Sequence, residues 1–324
     1  MSAPPGCVYG RPRLLLTAMQ ENPTLLAGRR LAEQHPPRGF DIAEASGAAD
    51  VVLFMEHGYI GLVNLPHLSR LVRARPRARH FLFSESDWPY AVLPGAYPSL
   101  TKALPWARSW SYLPDLSRLS QDRAVATARR PHLFSFLGRV ETHPVRQRLL
   151  VLDSPHTPCL DSADAPSRFP DFDYTRTYIE LLSNSSFALC PRGFGASSIR
   201  LFEAMAWGRA PVIISDAWQR PPGIDWEEFS LIVAESEVMH IPEILLRSQA
   251  RAERMGQRAR EIFRAHFAPE VFFDRMLASL LADMTDHGSA ISARAWRALG
   301  WREFYSIGHL AKSKLGKLSG RLPS

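Results

Sequence analysis

Seven short apolar runs, at 14–17, 51–54, 80–84, 133–137, 187–190, 210–215 and 231–233, recur along the chain with helix-length stretches between them. Their apolar residues run on without alternation. A strand with one wet face alternates, so short continuous runs fit strands buried on both faces of a parallel sheet. Parallel neighbours need crossover connections, and segments 24–33, 65–73, 174–184, 198–207, 241–267 and 269–286 read as the helices that supply them. The pattern predicts an α/β chain with doubly wound parallel sheets. A length of 324 residues allows two such domains. The charged, Ala-rich segment 121–130, followed by Pro131, marks the break. The expected division is 1–128, then 129–290, then a basic segment 291–324. The proline-rich stretch 154–173 reads as a loop.

Composition narrows the class. Hydrophobic residues make up 46% and charged residues 22%, which suits a folded chain with real cores. The net charge of +7 is placed unevenly: Arg294, Arg297, Arg302, Lys312, Lys314, Lys317 and Arg321 face one acid, Glu303. The body is therefore near neutral, which argues against a broad nucleic-acid surface. Basic and aromatic residues together in 294–321 fit either contact with an anionic membrane surface or a last helix packed back on the first domain. Cys7, Cys159 and Cys190 have no paired spacing, so neither a zinc site nor a disulfide framework is expected. Cys190 reads as a small core residue. Residues 1–13 have no apolar targeting core, and the longest apolar runs fall far short of a membrane span. The expected location is cytoplasmic, peripheral on the cytoplasmic face of the membrane.

The stretch FALCPRGFGASSIRLFEAMAWGRAPVIISD, 187–216, carries the chemistry. A strand runs into Pro191-Arg192-Gly193-Phe194-Gly195-Ala196-Ser197-Ser198, and a helix follows until Gly208 stops it. Gly193 and Gly195 allow close approach of backbone to a ligand. Ser197 or Ser198 is placed to cap the helix, whose first N–H groups and dipole favour an anion. Arg192 and Arg200 flank the loop and would neutralise a diphosphate without a metal. Glu203, one turn after Arg200, would accept hydrogen bonds from ribose hydroxyls.

Several strings resemble the exostosin-type glycosyltransferases. They are Y-x-x-x-L-x-x-S-x-F-x-L-x-P-R-G from Tyr178 to Gly193, S-x-R-x-x-E-A from Ser198 to Ala204, and G-x-x-P-V-x-x-S-D-x-W from Gly208 to Trp218. Ile224-Asp225-Trp226 and F-x-G-R-x-x-x-x-x-V-R from Phe136 to Arg146 fit the same family. The resemblance covers about 133–246. It implies the GT-B architecture: two facing Rossmann-like domains with parallel sheets, the donor nucleotide on the C-terminal domain, and inverting transfer between them. Arg139, Arg192, Arg200 and Glu203 are the donor-site residues it carries over, whereas Arg146 reads as structural. The implied donor is a nucleoside-diphosphate sugar, with UDP favoured and GDP open. The implied acceptor is a glycan or lipid-linked hydroxyl, and no separate cofactor is called for.

Inverting transfer needs a base for the acceptor hydroxyl, and open α/β sheets bind ligands outside the carboxyl ends of their strands. In the first domain the strand at 80–84 leads into Glu85-Ser86-Asp87-Trp88-Pro89-Tyr90, and the strand at 51–54 leads into Glu56 and His57. Asp87 or Glu85 is the expected base, with Glu56 or His57 as the fallback, while Glu56, His57, Trp88 and Tyr90 are expected to meet the acceptor. The E-S-x string here is similar to fucosyltransferases, so a GDP-fucose-type enzyme stands as an alternative. So does an NAD(P)-dependent oxidoreductase, since Gly193-x-Gly195-x-x-Ser198 with Asp216 approximates a dinucleotide fingerprint. A binding protein without catalysis is the third class. Asp171-Phe172-Asp173 is formally D-x-D, but it precedes a helix, and Asp173 is expected to be an N-cap.

Overall fold

The structure, a computed structural model, describes residues 10–44, 47–58, 65–89, 91–101, 103–115, 130–168 and 172–283. Tyr90, the boundary at 128/129 and the basic segment 291–324 lie outside the described residues. Two parallel sheets organise the chain, as the apolar runs predict. The first contains β1 (Arg13–Thr17), β2 (Asp41–Ile42), β3 (Val51–Glu56), β4 (Arg79–Ser84), β5 (Gly95–Ala96) and β6 (Ala107–Arg108), in the order β2-β1-β3-β4-β5-β6. Helices α1 (Pro23–Gln34) and α2 (Leu65–Arg73) cross between its strands. All of its ladders are parallel, with Leu14 opposite Val51 and Phe54 opposite Leu82.

The second half runs β7 (His132–Gly138), α3 (Pro144–Leu149), β8 (Cys159–Asp161), α4 (Ala165–Arg168), α5 (Tyr174–Ser183), β9 (Ser185–Pro191), α6 (Ile199–Ala206), β10 (Ala210–Ile214), β11 (Leu231–Val233), α7 (Ile241–Ser248), α8 (Ala252–His266) and α9 (Phe272–Asp283). Its sheet has the order β11-β10-β9-β7-β8, again parallel throughout. Residues of β3 and β10 are buried along their whole length, which is why their sequences show no alternation.

Local signals place the helices. Asn22 caps α1 by accepting the Leu25 N–H at 3.0 Å, and Pro23 sits at the first turn, where its missing N–H costs nothing. Asp173 caps α5 by accepting the Arg176 N–H at 2.7 Å, as expected of the D-x-D string. Gly208 ends α6 with φ 64°, and the Gly208 and Arg209 N–H groups return to the Met205 and Ala204 carbonyls. The stretch 154–173 is more structured than its prolines suggested, holding β8 and α4. The long helix expected at 241–267 is broken by a 3-10 turn at Gln249–Arg251.

Contacts join the two sheets. Trp218 Nε1 donates to the Pro98 carbonyl at 2.8 Å, and the Gln219 N–H donates to Leu100 at 2.7 Å. Helix α9 follows the second sheet in sequence but packs on the first. Phe272 meets Phe83 edge-on at 5.7 Å, and the Asp274 carboxylate accepts the Arg38 and Gly39 N–H groups at 2.8 and 2.9 Å. The expected lobe 129–290 therefore gives its last described helix to the other sheet.

Candidate active site

Because every ladder is parallel, each sheet delivers the carboxyl ends of its strands to one edge. The second sheet brings Arg139 after β7, Arg192-Gly193 after β9, Asp216 after β10 and Glu235 after β11. The first brings Glu56-His57 after β3 and Glu85-Ser86-Asp87-Trp88 after β4. The two edges meet at Gly195. Its N–H donates to the Asp87 carboxylate, and a Cβ on Gly195 would overlap that carboxylate and the Ser99 hydroxyl. One step away, Trp88 and Phe194 lie 5.7 Å apart between ring centres, each about half exposed.

These contacts change the reason for the glycines. Neither Gly193 nor Gly195 has positive φ. Gly195 is needed because the first sheet's loop approaches too closely for a side chain. At Gly193 a Cβ would crowd Arg146 beneath it, whose Nη2 would lie 3.1 Å away. Arg146 is structural, as expected. It donates to the carbonyls of Arg192 at 2.8 Å, Pro191 at 3.1 Å and Arg139 at 3.2 Å, tying the loop after β9 to the end of β7. Burial first, and then the charge of Arg200, pull its guanidinium pKa down to about 10. Two guanidinium groups share this field behind the loop, which favours an anion in front of it.

The remaining donor-side residues divide. Arg192 is partly buried at the loop, 3.7 Å from Glu235, with its Nη2 on the Phe194 carbonyl at 3.5 Å. Ser197 is buried beside the Tyr112 hydroxyl. Ser198 occupies the N-cap position of α6 with extended backbone, but its hydroxyl makes no cap hydrogen bond, so capping here is positional. Arg139 is exposed and paired with Glu141 at 2.6 Å.

Arg200 and Glu203 correct the sequence reading. They do share a helix face, but that face is turned inward. Arg200 is 7% exposed, donates to the Leu137 carbonyl, and stacks over Phe136 at 4.7 Å and Tyr178 at 5.4 Å. Glu203 is 4% exposed and accepts the Tyr178 hydroxyl at 2.6 Å. Burial and then Glu203 push the Tyr178 phenol well above its ordinary range, so it stays a donor. Burial acts to lower the Arg200 pKa, yet Tyr178, Tyr174, Cys190 and Glu203 outweigh it and hold the pKa above the usual value. The pair forms a buried scaffold beneath the loop, and Glu203 also lines a small recess with Tyr112, Leu113 and Phe202.

On the first sheet, Glu56 is buried and accepts the Met19 N–H at 2.7 Å, fixing the turn into α1. Burial raises its pKa. Glu85 accepts the Leu113 N–H at 2.7 Å and the Thr24 hydroxyl at 2.9 Å, and burial raises its pKa despite those bonds. Asp87 keeps an exposed side, yet its carboxyl is desolvated beneath Gly195, which raises its pKa; the Gly195 N–H and Arg146 oppose the rise. His57 is exposed, with Nδ1 3.1 Å from the Thr24 hydroxyl. The structure thus groups Glu85, Asp87, His57 and Trp88 at one edge and turns Glu56 inward. Sequence reasoning missed Thr24, Ser99, Tyr112, Tyr178 and Glu235. Glu235 was within reach, since it follows β11 as Glu85 follows β4.

Residues 96–248 match the Exostosin GT47 domain. The chain carries an exostosin-type domain. An exostosin-1 homolog of Caenorhabditis elegans is 38% identical over 104 residues, 31% of this chain and 27% of that protein. A probable glucuronosyltransferase of Oryza sativa subsp. japonica is 31% identical over 142 residues, 40% of this chain and 34% of that protein. The chain spans roughly a third of the length of these curated relatives or less. A solved α1,3-fucosyltransferase aligns at 10% identity and TM-score 0.48, covering 89% of this chain and 94% of that one. The dinucleotide alternative gains no support from the exostosin-type domain. Its third glycine is Ser198, and the Asp216 carboxylate it needs for a ribose accepts the Glu235 N–H at 3.0 Å. Among the described residues no helix is long and apolar enough to cross a membrane.

Proposed function

We propose that the protein transfers a sugar from a nucleoside-diphosphate sugar, UDP-linked in the first instance, to a hydroxyl of a glycan or glycolipid, with inversion. One observation carries this reading: the loop 191–198, backed by Arg146 and Arg200 and flanked by Arg192, presses through Gly195 against Asp87, the carboxylate in the loop after β4 of the first sheet. The first N–H groups of α6 and the Arg192 guanidinium hold the diphosphate as negative charge develops on it. Arg200 and Glu203 act from beneath, by keeping α6 and the loop in place. Trp88, half exposed at the edge, offers a face for a sugar ring. Glu85, its pKa raised by burial, belongs to the machinery that receives the acceptor's proton, while Asp87 joins the two edges through the Gly195 N–H. Cationic side chains take the place of a metal in this reading, so transfer continues in EDTA. The basic segment 294–321 brings the enzyme to an anionic membrane surface on the cytoplasmic side.

The test is a thermal-shift titration with UDP and GDP. A ligand that binds only the folded form stabilises it by about 2.7 kcal/mol at a hundred times its dissociation constant. UDP is expected to raise the melting temperature, and Arg192→Ala to remove that rise while leaving the unliganded transition in place. A wild-type protein indifferent to both nucleotides rules out the donor site.

A further inference from the structure

Thr24 stands at the start of α1, His57 follows β3 and Glu85 follows β4, so three separate elements converge on one hydroxyl. Thr24 Oγ1 lies 2.9 Å from Glu85 Oε2 and 3.1 Å from His57 Nδ1. A threonine hydroxyl has one proton to give. An ionised Glu85 only accepts, so the Thr24 proton goes to Oε2, and the oxygen then accepts from His57. That requires the proton of the neutral imidazole to sit on Nδ1 and leaves Nε2 bare. The second Glu85 oxygen is held by the Leu113 N–H at 2.7 Å, which fixes the carboxylate in this orientation. Thr24 and Glu85 are shielded, whereas His57 is exposed at the carboxyl end of β3, beside the strand whose following loop carries Asp87 to Gly195. The neighbouring titratable groups among the described residues are Glu85 and, next in the chain, Glu56, with His67 beside Glu56.

We propose that His57 is the base that takes the acceptor's proton, and that Thr24 and Glu85 are positioning residues that set its tautomer and support the charge it gains. This rests on the transferase reading above. As the acceptor oxygen bonds to the sugar's anomeric carbon, its proton moves to His57 Nε2. The bond from that carbon to the diphosphate oxygen breaks, and its electron pair leaves with the nucleoside diphosphate. The imidazolium then donates through Nδ1 to Thr24, whose hydroxyl donates to the Glu85 carboxylate. Asp87, bonded to the Gly195 N–H, holds the two edges together rather than taking the proton.

Nitrogen-15 spectra of the imidazoles in the full chain, assigned with His57→Gln, test the tautomer without any activity. An Nδ1–H ring at His57 is expected. An Nε2–H ring overturns the proposal, since it means a protonated Glu85 and a reversed chain of donors. Kinetics give the second arm. General-base removal costs about 10²–10⁴-fold, so His57→Ala should lower kcat for transfer by at least about 100-fold with UDP affinity unchanged. Thr24→Val should lower kcat without raising KM, and Thr24→Ser should restore it. Transfer at the wild-type rate by His57→Ala, with UDP still bound, overturns this assignment alone. A wild-type protein that binds neither UDP nor GDP overturns the transferase reading and the base assigned on it together.

Discussion

Gly195→Ala is the most direct probe of how the two sheet edges meet. The new methyl carbon would stand 2.6 Å from Asp87 Oδ1 and 3.2 Å from Asp87 Cα, with Ser99 Oγ closer still. The carboxylate and the hydroxyl are side-chain ends and can swing away, but the Cα belongs to the backbone of the loop after β4. Relief therefore needs either a shifted loop or parted edges. Overpacking a tight site costs about 1–3 kcal/mol, and the hydrogen bond from Gly195 to Asp87 is strained by the same shift. At about 2.1 cal/mol/K per residue, a chain of 324 residues has an unfolding entropy of roughly 0.7 kcal/mol/K, so the melting temperature should fall by roughly 1.5–4.5 °C. Shortening the obstacle should recover part of that loss. A double-mutant cycle of Gly195→Ala with Ser99→Gly should show coupling of at least about 0.5 kcal/mol, the level expected of residues in contact. Scanning fluorimetry and urea titration measure both quantities. A Gly195→Ala protein that melts with the wild type and couples to nothing at Ser99 refutes the contact on which the site is built.

Three further outcomes are expected. Arg146→Met removes the three donors that hold the carbonyls of Arg139, Pro191 and Arg192; UDP affinity should fall by about tenfold, or ~1.4 kcal/mol, by calorimetry, and an unchanged isotherm rejects the tether. Tyr178→Phe leaves the buried Glu203 Oε2 without its 2.6 Å donor; stability should fall by about 1–3 kcal/mol in urea, and an unchanged midpoint shows that the bond contributes nothing. Glu56 binds its proton more tightly folded than unfolded, because burial raises its pKa from 4.5. Its contribution is therefore full below 4.5 and is lost as pH rises through the folded value. Glu56→Gln, which can still accept the Met19 N–H, should gain on the wild type as pH rises from 4.5 toward neutrality, and a constant difference in unfolding free energy argues against the shift.

Much of the fold was legible because burial on both faces leaves a plain mark. The runs at 51–54 and 210–215 are apolar throughout and became β3 and β10. What stayed hidden was short. β5 and β6 have two residues each, and β2 is no longer. No periodicity survives in two residues, so their places come from the neighbours they pair with. The break between α7 and α8 was hidden for another reason: Gln249–Arg251 carries no proline or glycine to announce it.

The site shows where a motif stops short of a role. The spacing of Arg200 and Glu203 correctly put both on one face of α6, but spacing cannot say what that face meets. The answer lies with Tyr178, placed by α5 and separated from Glu203 by the whole of β9. Once its hydroxyl occupies Glu203 Oε2 and its ring covers Arg200, a pair that looked like nucleotide ligands becomes the support for the loop proposed to bind the nucleotide. The positive field survives this change. Burial lowers the Arg146 pKa and Arg200 lowers it further, so an anion in front of the loop relieves a repulsion already present behind it. Substituting either buried arginine should therefore weaken diphosphate binding and destabilise the fold together, whereas substituting Arg192 should weaken binding alone. That difference in coupling separates a supporting arginine from a ligating one.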